Sequence, residues 1–309
     1  RPGEQLIAWT TTPWTVPANV AAAVNPDADY ELVEFDGRRL WMAASRRAAT
    51  LGGGAPRATS IERRKGTELV GWRYRATFDA LPAVAASLGA AGGAHRVVAW
   101  SEVGSEEGSG IVHIAPGCGS EDHALGRSEG LPSIAPIDES GIYVDGFGTL
   151  SGRSWSTVAE EITEALKGTG SLLRRETITH RYPHCWRCST PLVFREVDEW
   201  FISMGPVYAK PRAELTRAEI DASLRYQIME SVDSISWLPS FGYEREIDWL
   251  MNMSDWMISK KRYWGLALPI YPCTVCGTVE VIGSRKELES RAITGLEVLK
   301  GRSAHRPYI

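Results

Sequence analysis

Apolar residues along this chain fall mostly in short runs broken by turn residues, with few long helical stripes. Leu6-Ile7-Ala8-Trp9, Tyr30-Glu31-Leu32-Val33-Glu34-Phe35 and Arg39-Leu40-Trp41-Met42-Ala43 read as strands, with Asp36-Gly37 as a hairpin turn. The Ala/Arg-rich stretch from Ala43 to Leu51 predicts a short helix ended by Gly52-Gly53-Gly54. Residues 73–78, 95–100 and 110–115 predict three more strands. Ser120 to Gly130 predicts a helix with Asp122 in its first turn, where backbone N–H groups favour an ionised carboxylate. Val158, Ile162, Ala165 and Leu166 share one face at helical spacing; Thr157 with Glu160 matches a capping box, and Gly168 is a natural stop. Many short strands and few helices predict an α/β fold, a barrel-like mixed domain over residues 1–178. Beyond it the composition turns toward tryptophan, which marks a second region, residues 179–309.

The 309 residues are 43% hydrophobic and 23% charged, enough apolar material for two cores. No stretch approaches a transmembrane span and the first residues lack an apolar secretory core, so the expectation is a cytoplasmic protein with no membrane partner. A start at Arg1 and an end within His305-Arg306-Pro307-Tyr308-Ile309 predict an internal piece of a longer chain. The net charge of −4 carries no global nucleic-acid signal. RNA contact would then rest on local runs such as Lys260-Lys261-Arg262 or Arg63-Arg64-Lys65, although runs of this size are more often solvated faces.

Four of the five cysteines form two pairs, Cys185-x-x-Cys188 and Cys273-x-x-Cys276, with Cys118 left over. With no secretory signal, a disulfide framework is not expected. Two-residue spacing suits zinc, because a knuckle turn aims both thiolates at one tetrahedral ion. On spacing alone the plain reading is one zinc held by Cys185, Cys188, Cys273 and Cys276; reduced thiols without metal remain the other reading.

Two distant segments concentrate the polar chemistry. Trp9-Thr10-Thr11-Thr12-Pro13-Trp14-Thr15-Val16-Pro17-Ala18-Asn19 packs four hydroxyls and an amide around two prolines that stiffen the backbone. Gly108-Ser109-Gly110-Ile111-Val112-His113-Ile114-Ala115-Pro116-Gly117-Cys118-Gly119-Ser120-Glu121-Asp122 brings an imidazole and a carboxylate to either side of a glycine-rich turn. Neither holds a recognisable nucleophile motif. Together they read as a polar pocket that orients a small substrate and a water.

The pair resembles the editing domain of the isoleucyl-tRNA synthetases, a hydrolytic insert in a class I aminoacyl-tRNA synthetase. Thr12-Pro13-Trp14-Thr15 followed by Asn19 is the isoleucyl pattern, where valyl and leucyl relatives typically continue Arg-Pro-Glu-Thr or Arg-Pro-Asp-Thr. Val112-His113-Ile114-Ala115-Pro116 agrees with it. Ser109 stands where threonine is more usual, and His123 where an aromatic residue is frequent. Asp198-Glu199-Trp200-Phe201 and the stretch from Asp255 to Gly265, similar to the class I pattern W-x-I-S-x-x-R-x-W-G, extend the resemblance over nearly the whole chain. It implies that residues 179–309 return toward a Rossmann-type synthetic domain.

The resemblance implies that Asp122 binds the α-ammonium of a misattached amino acid. His113 would form part of the wall against a larger side chain, and Thr11, Thr12 and Asn19 would orient ester and water. Thr10 and Thr15 would line the site or satisfy backbone groups, and Trp14 would stack on the terminal adenine or close the pocket. It also implies two zinc sites, each cysteine pair being half of one. The partners implied are tRNA(Ile) and the remainder of the synthetase chain. His-x-Gly-His and Lys-Met-Ser-Lys-Ser motifs are absent from these residues, so ATP and magnesium are expected only in the full-length enzyme. The expected activity is hydrolysis of Val-tRNA(Ile). The alternatives are a valyl-type domain acting on Thr-tRNA and a zinc-stabilised RNA-binding module without catalysis.

Overall fold

In a computed structural model, described over residues 2–299 except 91, 93, 94, 180 and 260–267, the chain divides into two units, Arg1–Glu196 and Val197–Ile309. The first unit begins with β1 (Glu4–Leu6), β2 (Ala21–Val24), β3 (Asp29–Phe35) and β4 (Arg38–Ala43). There follow α1 (Arg47–Leu51), β5 (Thr59–Lys65), α2 (Gly66–Leu69), β6 (Arg73–Tyr74) and α3 (Pro82–Ala90), then β7 (His95–Ala99), β8 (Ile111–Ile114), α4 (Ser120–Glu129) and α5 (Ala159–Gly168).

Two four-stranded sheets result, in the orders β1-β4-β3-β5 and β6-β7-β2-β8. The β1/β4 and β2/β7 pairs are parallel, and the others are antiparallel. Neither sheet closes on itself. Ile7 N donates to Trp41 O at 3.0 Å and Trp9 N to Ile111 O at 3.4 Å, so residues 4–9 leave the edge of the first sheet and join the edge strand of the second. Ala43 N, donating to Ser109 O at 2.9 Å, adds a second stitch along this seam.

The core follows the two-residue period of a strand. Along β2, Ala22 and Val24 join Tyr30, Leu32, Trp41 and Val97 in one cluster, while Ala21 and Ala23 face Trp14, Ile114, Phe147 and Ile162 in another. A strand buried on both faces shows no apolar/polar alternation, and a run of alanines has no strand preference, so β2 was not legible in the sequence.

Several expected elements shift. The strand expected at residues 6–9 is β1, with Trp9 bridging separately to Val112. The helix expected from Ala43 starts at Arg47, after a 3-10 turn over Ala44–Arg46, and the strand expected to reach residue 78 stops at Tyr74. The hairpin β3/β4 forms as expected, with Asp36 and Gly37 both at positive φ. Helix α4 ends at a left-handed Gly130. The capping box at Thr157 does not form. That residue already belongs to a 3-10 turn, its hydroxyl donating to Ser154 O at 2.9 Å, and Glu160 pairs with Arg175 instead.

The second unit contains β9 (Phe201–Ile202), α6 (Arg217–Asp221), α7 (Leu224–Asp233), α8 (Phe241–Asn252), β10 (Trp256–Met257), β11 (Ile270–Pro272), β12 (Val279–Val281) and α9 (Arg285–Arg291). Its strands pair as two antiparallel ribbons, β9/β10 and β11/β12. Met204, Tyr226, Met229, Val232 and Leu250 form its core. No helix among the described residues is long and apolar enough to cross a membrane.

Candidate active site

Pro13–Ala18 forms a 3-10 turn, with Pro13 at its first position, where a missing N–H costs nothing. The turn folds the threonines back on themselves: Thr15 N donates to Thr12 O at 3.0 Å, and Thr12 N to Thr10 Oγ1 at 3.1 Å. Immediately beyond it, β2 pairs antiparallel with β8, with Ala22 opposite His113. This pairing brings the two halves of the site together from positions far apart in the chain.

The bonds around His113 have one consistent assignment. The Asn19 amide nitrogen faces Ala21 O at 2.9 Å and His113 Nδ1 at 3.2 Å, so Nδ1 is the acceptor. The ring proton then sits on Nε2, 2.7 Å from Thr15 Oγ1. Thr15 accepts it and donates its own proton to Thr12 O at 2.9 Å. At the other end, Tyr74 OH donates to Asn19 Oδ1 at 2.7 Å. Burial also pushes the imidazole pKa down to about 4, so His113 is neutral at neutral pH.

The members differ in what they leave open. Thr15 and Asn19 are buried at 5% and 8% exposure and have their polar groups engaged. Their bonds tie the threonine turn to His113 and to Tyr74. Thr10 and Thr12 are part-buried, their hydroxyls 3.3 Å apart, and Thr12 Oγ1 lies 3.4 Å from Thr15 Oγ1. Thr11 is exposed. Thr10, Thr11 and Thr12 are therefore the threonines of the turn that reach the surface.

Of the two roles expected of Trp14, stacking on a base needs an open ring face. Its ring is 5% exposed, packed in the core with Trp155 at a 6.0 Å centroid distance, and its carbonyl accepts from Tyr143 OH. No face remains for a base to stack on, because the aromatic surface is spent on the core of the first unit.

Asp122 lies in the first turn of α4, part-buried. The expectation that the helix's own N–H groups hold it is corrected: Oδ2 accepts from Ala115 N at 2.8 Å, just past β8. Burial raises its pKa, the Ala115 bond opposes that, and the charge of Glu121 adds to the rise. Among the described residues no cationic side chain pairs with it, and Oδ1 carries no protein hydrogen bond. A half-buried carboxylate with one oxygen held and the other open suits an incoming cation.

Tyr74 and the Ala115 amide are the participants that sequence reading missed. Tyr74 reaches Asn19 only because β6 and β2 both flank β7, and no local motif signals that.

The two cysteine pairs adopt the same knuckle. Cys185 N donates to Thr190 O and Cys273 N to Thr278 O, each at 2.8 Å, and Ser189 and Gly277 take positive φ. Cys188 Sγ lies 3.2 Å from Thr190 Oγ1, and Cys276 Sγ 3.1 Å from Thr278 Oγ1. These hydroxyls lead the interactions that draw the thiols of Cys188 and Cys276 down to about 7. Each knuckle presents two sulfurs, and no group of three or more ligands occurs among the described residues. Of the basic runs, Arg63, Arg64 and Lys65 in β5 pair with Glu31 (which also pairs with Arg47), with Glu62 and Glu68, and with Asp29, respectively. Lys260-Lys261-Arg262, the last part of the W-x-I-S-x-x-R-x-W-G stretch and His305 to Ile309 lie outside the described residues.

A family model for class I tRNA synthetases (I, L, M and V) matches residues 2–300. The chain belongs to that family. This synthetase chain is 39% identical over 310 residues to isoleucine–tRNA ligase 2 of Pseudomonas fluorescens, covering 100% of the chain and 27% of that protein. It is 38% identical over 305 residues to the isoleucine–tRNA ligase of Methanothermobacter thermautotrophicus, covering 98% and 27%. The synthetase chain thus spans about a quarter of the length of these relatives. Among solved structures, the P. knowlesi cytosolic leucyl-tRNA synthetase editing domain is more loosely similar. It shows 10% identity and a TM-score of 0.39 over 54% of this chain and 82% of that domain.

Proposed function

We propose that this chain is the editing region of an isoleucyl-tRNA synthetase and hydrolyses Val-tRNA(Ile). The observation that carries the reading is Asp122, a part-buried carboxylate with one free oxygen and no cationic partner among the described residues, tethered to the strand that bears the locked His113. The physical need is plain. A hydrophobic pocket gains only about 1–3 kcal/mol from one methylene, a limit for which isoleucine against valine is the standard illustration. A second site that admits valine and refuses isoleucine removes the resulting errors.

In this reading Asp122 Oδ1 takes the α-ammonium of the aminoacyl ester and fixes its position. The His113 ring, held at both nitrogens, is a rigid wall against the longer side chain. Thr11 and Thr12 hydroxyls orient the ester and a water. The water oxygen attacks the ester carbonyl, the bond to the ribose oxygen breaks, and that oxygen takes up a proton, releasing valine and free tRNA. Neutral His113 already accepts on one nitrogen and donates from the other, so it is not the proton acceptor. Proximity and polar stabilisation supply the rate. The test is deacylation of Val-, Thr- and Ile-charged tRNA by this chain. Val-tRNA(Ile) should be hydrolysed fastest; preference for Thr-tRNA would favour a valyl-type site, and binding without turnover would end the catalytic reading.

Each knuckle fits half of a tetrahedral zinc site, with Cys185 and Cys188 in one and Cys273 and Cys276 in the other. Bound zinc would act as a structural staple. Elemental analysis of a longer chain carrying both flanking regions should return two zinc ions per molecule. One ion per molecule, lost on replacing any of the four cysteines, would mean a single shared site.

A further inference from the structure

Behind the site lies a second layer that the catalytic reading leaves unused. Tyr74 pairs across β6 and β7 with His95, and the two rings stack at 4.8 Å with 17° between their planes. His95 is 1% exposed, and its Nε2 lies 2.6 Å from Asp79 Oδ1; the other oxygen of Asp79 accepts from Ala76 N at 3.0 Å. The Tyr74 ring is thus held from behind, and its hydroxyl points at Asn19 Oδ1, which has no other hydrogen-bonding partner among the described residues. Asn19 in turn presents an N–H to His113 Nδ1. Removing the phenol oxygen would leave a buried amide oxygen without a donor, and the amide would then turn toward whatever donor it can find. The carbonyls of Ala21 and Ile114, which share the Asn19 N–H groups, oppose that turn, at 2.9 and 3.4 Å. The bonds to His113 Nδ1, at 3.2 Å, and to Ile114 O are both longer than the one to Ala21 O, so a turn of the amide strains the His113 bond while the Ala21 bond holds.

We propose that Tyr74 is a positioning residue for the size-selecting wall: acting through Asn19, it holds the His113 ring in one tautomer and one orientation. This rests on the editing function proposed above. Its chemical content is independent of that function, because the tautomer is a property of the protein without tRNA.

The test is Tyr74→Phe, which keeps the ring that stacks on His95 and removes only the hydroxyl. In the wild-type chain, imidazole 15N shifts should report His113 as the pure Nε2–H form. In Tyr74→Phe they should move toward a mixture of tautomers, and the ratio of Val-tRNA(Ile) to Ile-tRNA(Ile) deacylation should fall roughly tenfold, within the range one methylene commands. His113 resonances unchanged in the folded variant would overturn the proposal, whatever the activity. Resonances shifted in the variant, with a wild-type chain that hydrolyses neither tRNA, would keep the positioning role and overturn the editing reading. If Tyr74→Phe does not fold, Tyr74→3-fluorotyrosine supplies the same reading with the shape retained. A more acidic phenol polarises Asn19 more strongly, so the His113 15N shifts should move; no movement would overturn the proposal.

Discussion

Asp122→Ala is expected to lower Val-tRNA(Ile) hydrolysis by roughly 10- to 150-fold, from the loss of a charge-assisted contact of about 1.5–3 kcal/mol. The fold should survive, because the side chain contributes one accepted bond from Ala115 and no core contact. Asp122→Asn sharpens the result. The amide oxygen can still accept from Ala115, but the charge is gone, so activity should fall nearly as far. The stability sign runs the other way. Burial raises the folded pKa of Asp122 above its unfolded value, so between those values the native state binds more protons, and stability falls as pH rises through that window. At neutral pH the ionised carboxylate is therefore a cost to the fold, and Asp122→Asn should unfold no more easily than wild type. The same shift predicts that wild-type deacylation declines as acid protonates Asp122, beginning above the usual carboxylate range. Wild-type rates in a folded Asp122→Ala chain would remove the residue from the site.

His113→Ala should convert the site from selective to permissive. Its ring is pinned by Asn19 and Thr15, so in the wild type it cannot turn aside for an extra methylene. Truncation opens the space, and rejection by steric clash disappears with the blocking group. Hydrolysis of correctly charged Ile-tRNA(Ile) should rise, while Val-tRNA(Ile) hydrolysis persists through Asp122. The ratio of the two rates should drop by roughly tenfold or more, the discrimination one methylene can carry. The cost is one lost contact each for Thr15 Oγ1 and the Asn19 amide nitrogen, both of which keep a backbone carbonyl partner. An unchanged ratio would move the exclusion to the threonines at residues 10–12.

What could be read in advance followed locality. The hairpin at Asp36-Gly37, α4 with Asp122 in its first turn and α5 with its apolar face are written in neighbouring residues. The threonine motif and His113 stood out for the same reason. What failed to show depends on distant contacts. The four apolar residues of β2 became a doubly buried strand only once β7 and β8 flanked them. Tyr74 joined the site through the order of strands in a sheet. Trp14, given a stacking or pocket-closing role by the resemblance, is packed against Trp155, a contact made across the fold. Thr157 lost its cap role to a turn that no capping pattern anticipates.

The seam made by residues 4–9 bears on how such a site changes over time. The threonine loop is moored on one side to β8 through Trp9, and on the other it runs directly into β2 at the centre of the same sheet. Widening it means unzipping sheet hydrogen bonds, so the loop behaves as a fixed gauge and not as an adjustable jaw. On the proposed editing function, a change in the amino acid accepted then has to come from the side chains at the rim, because the backbone frame is held by the sheet.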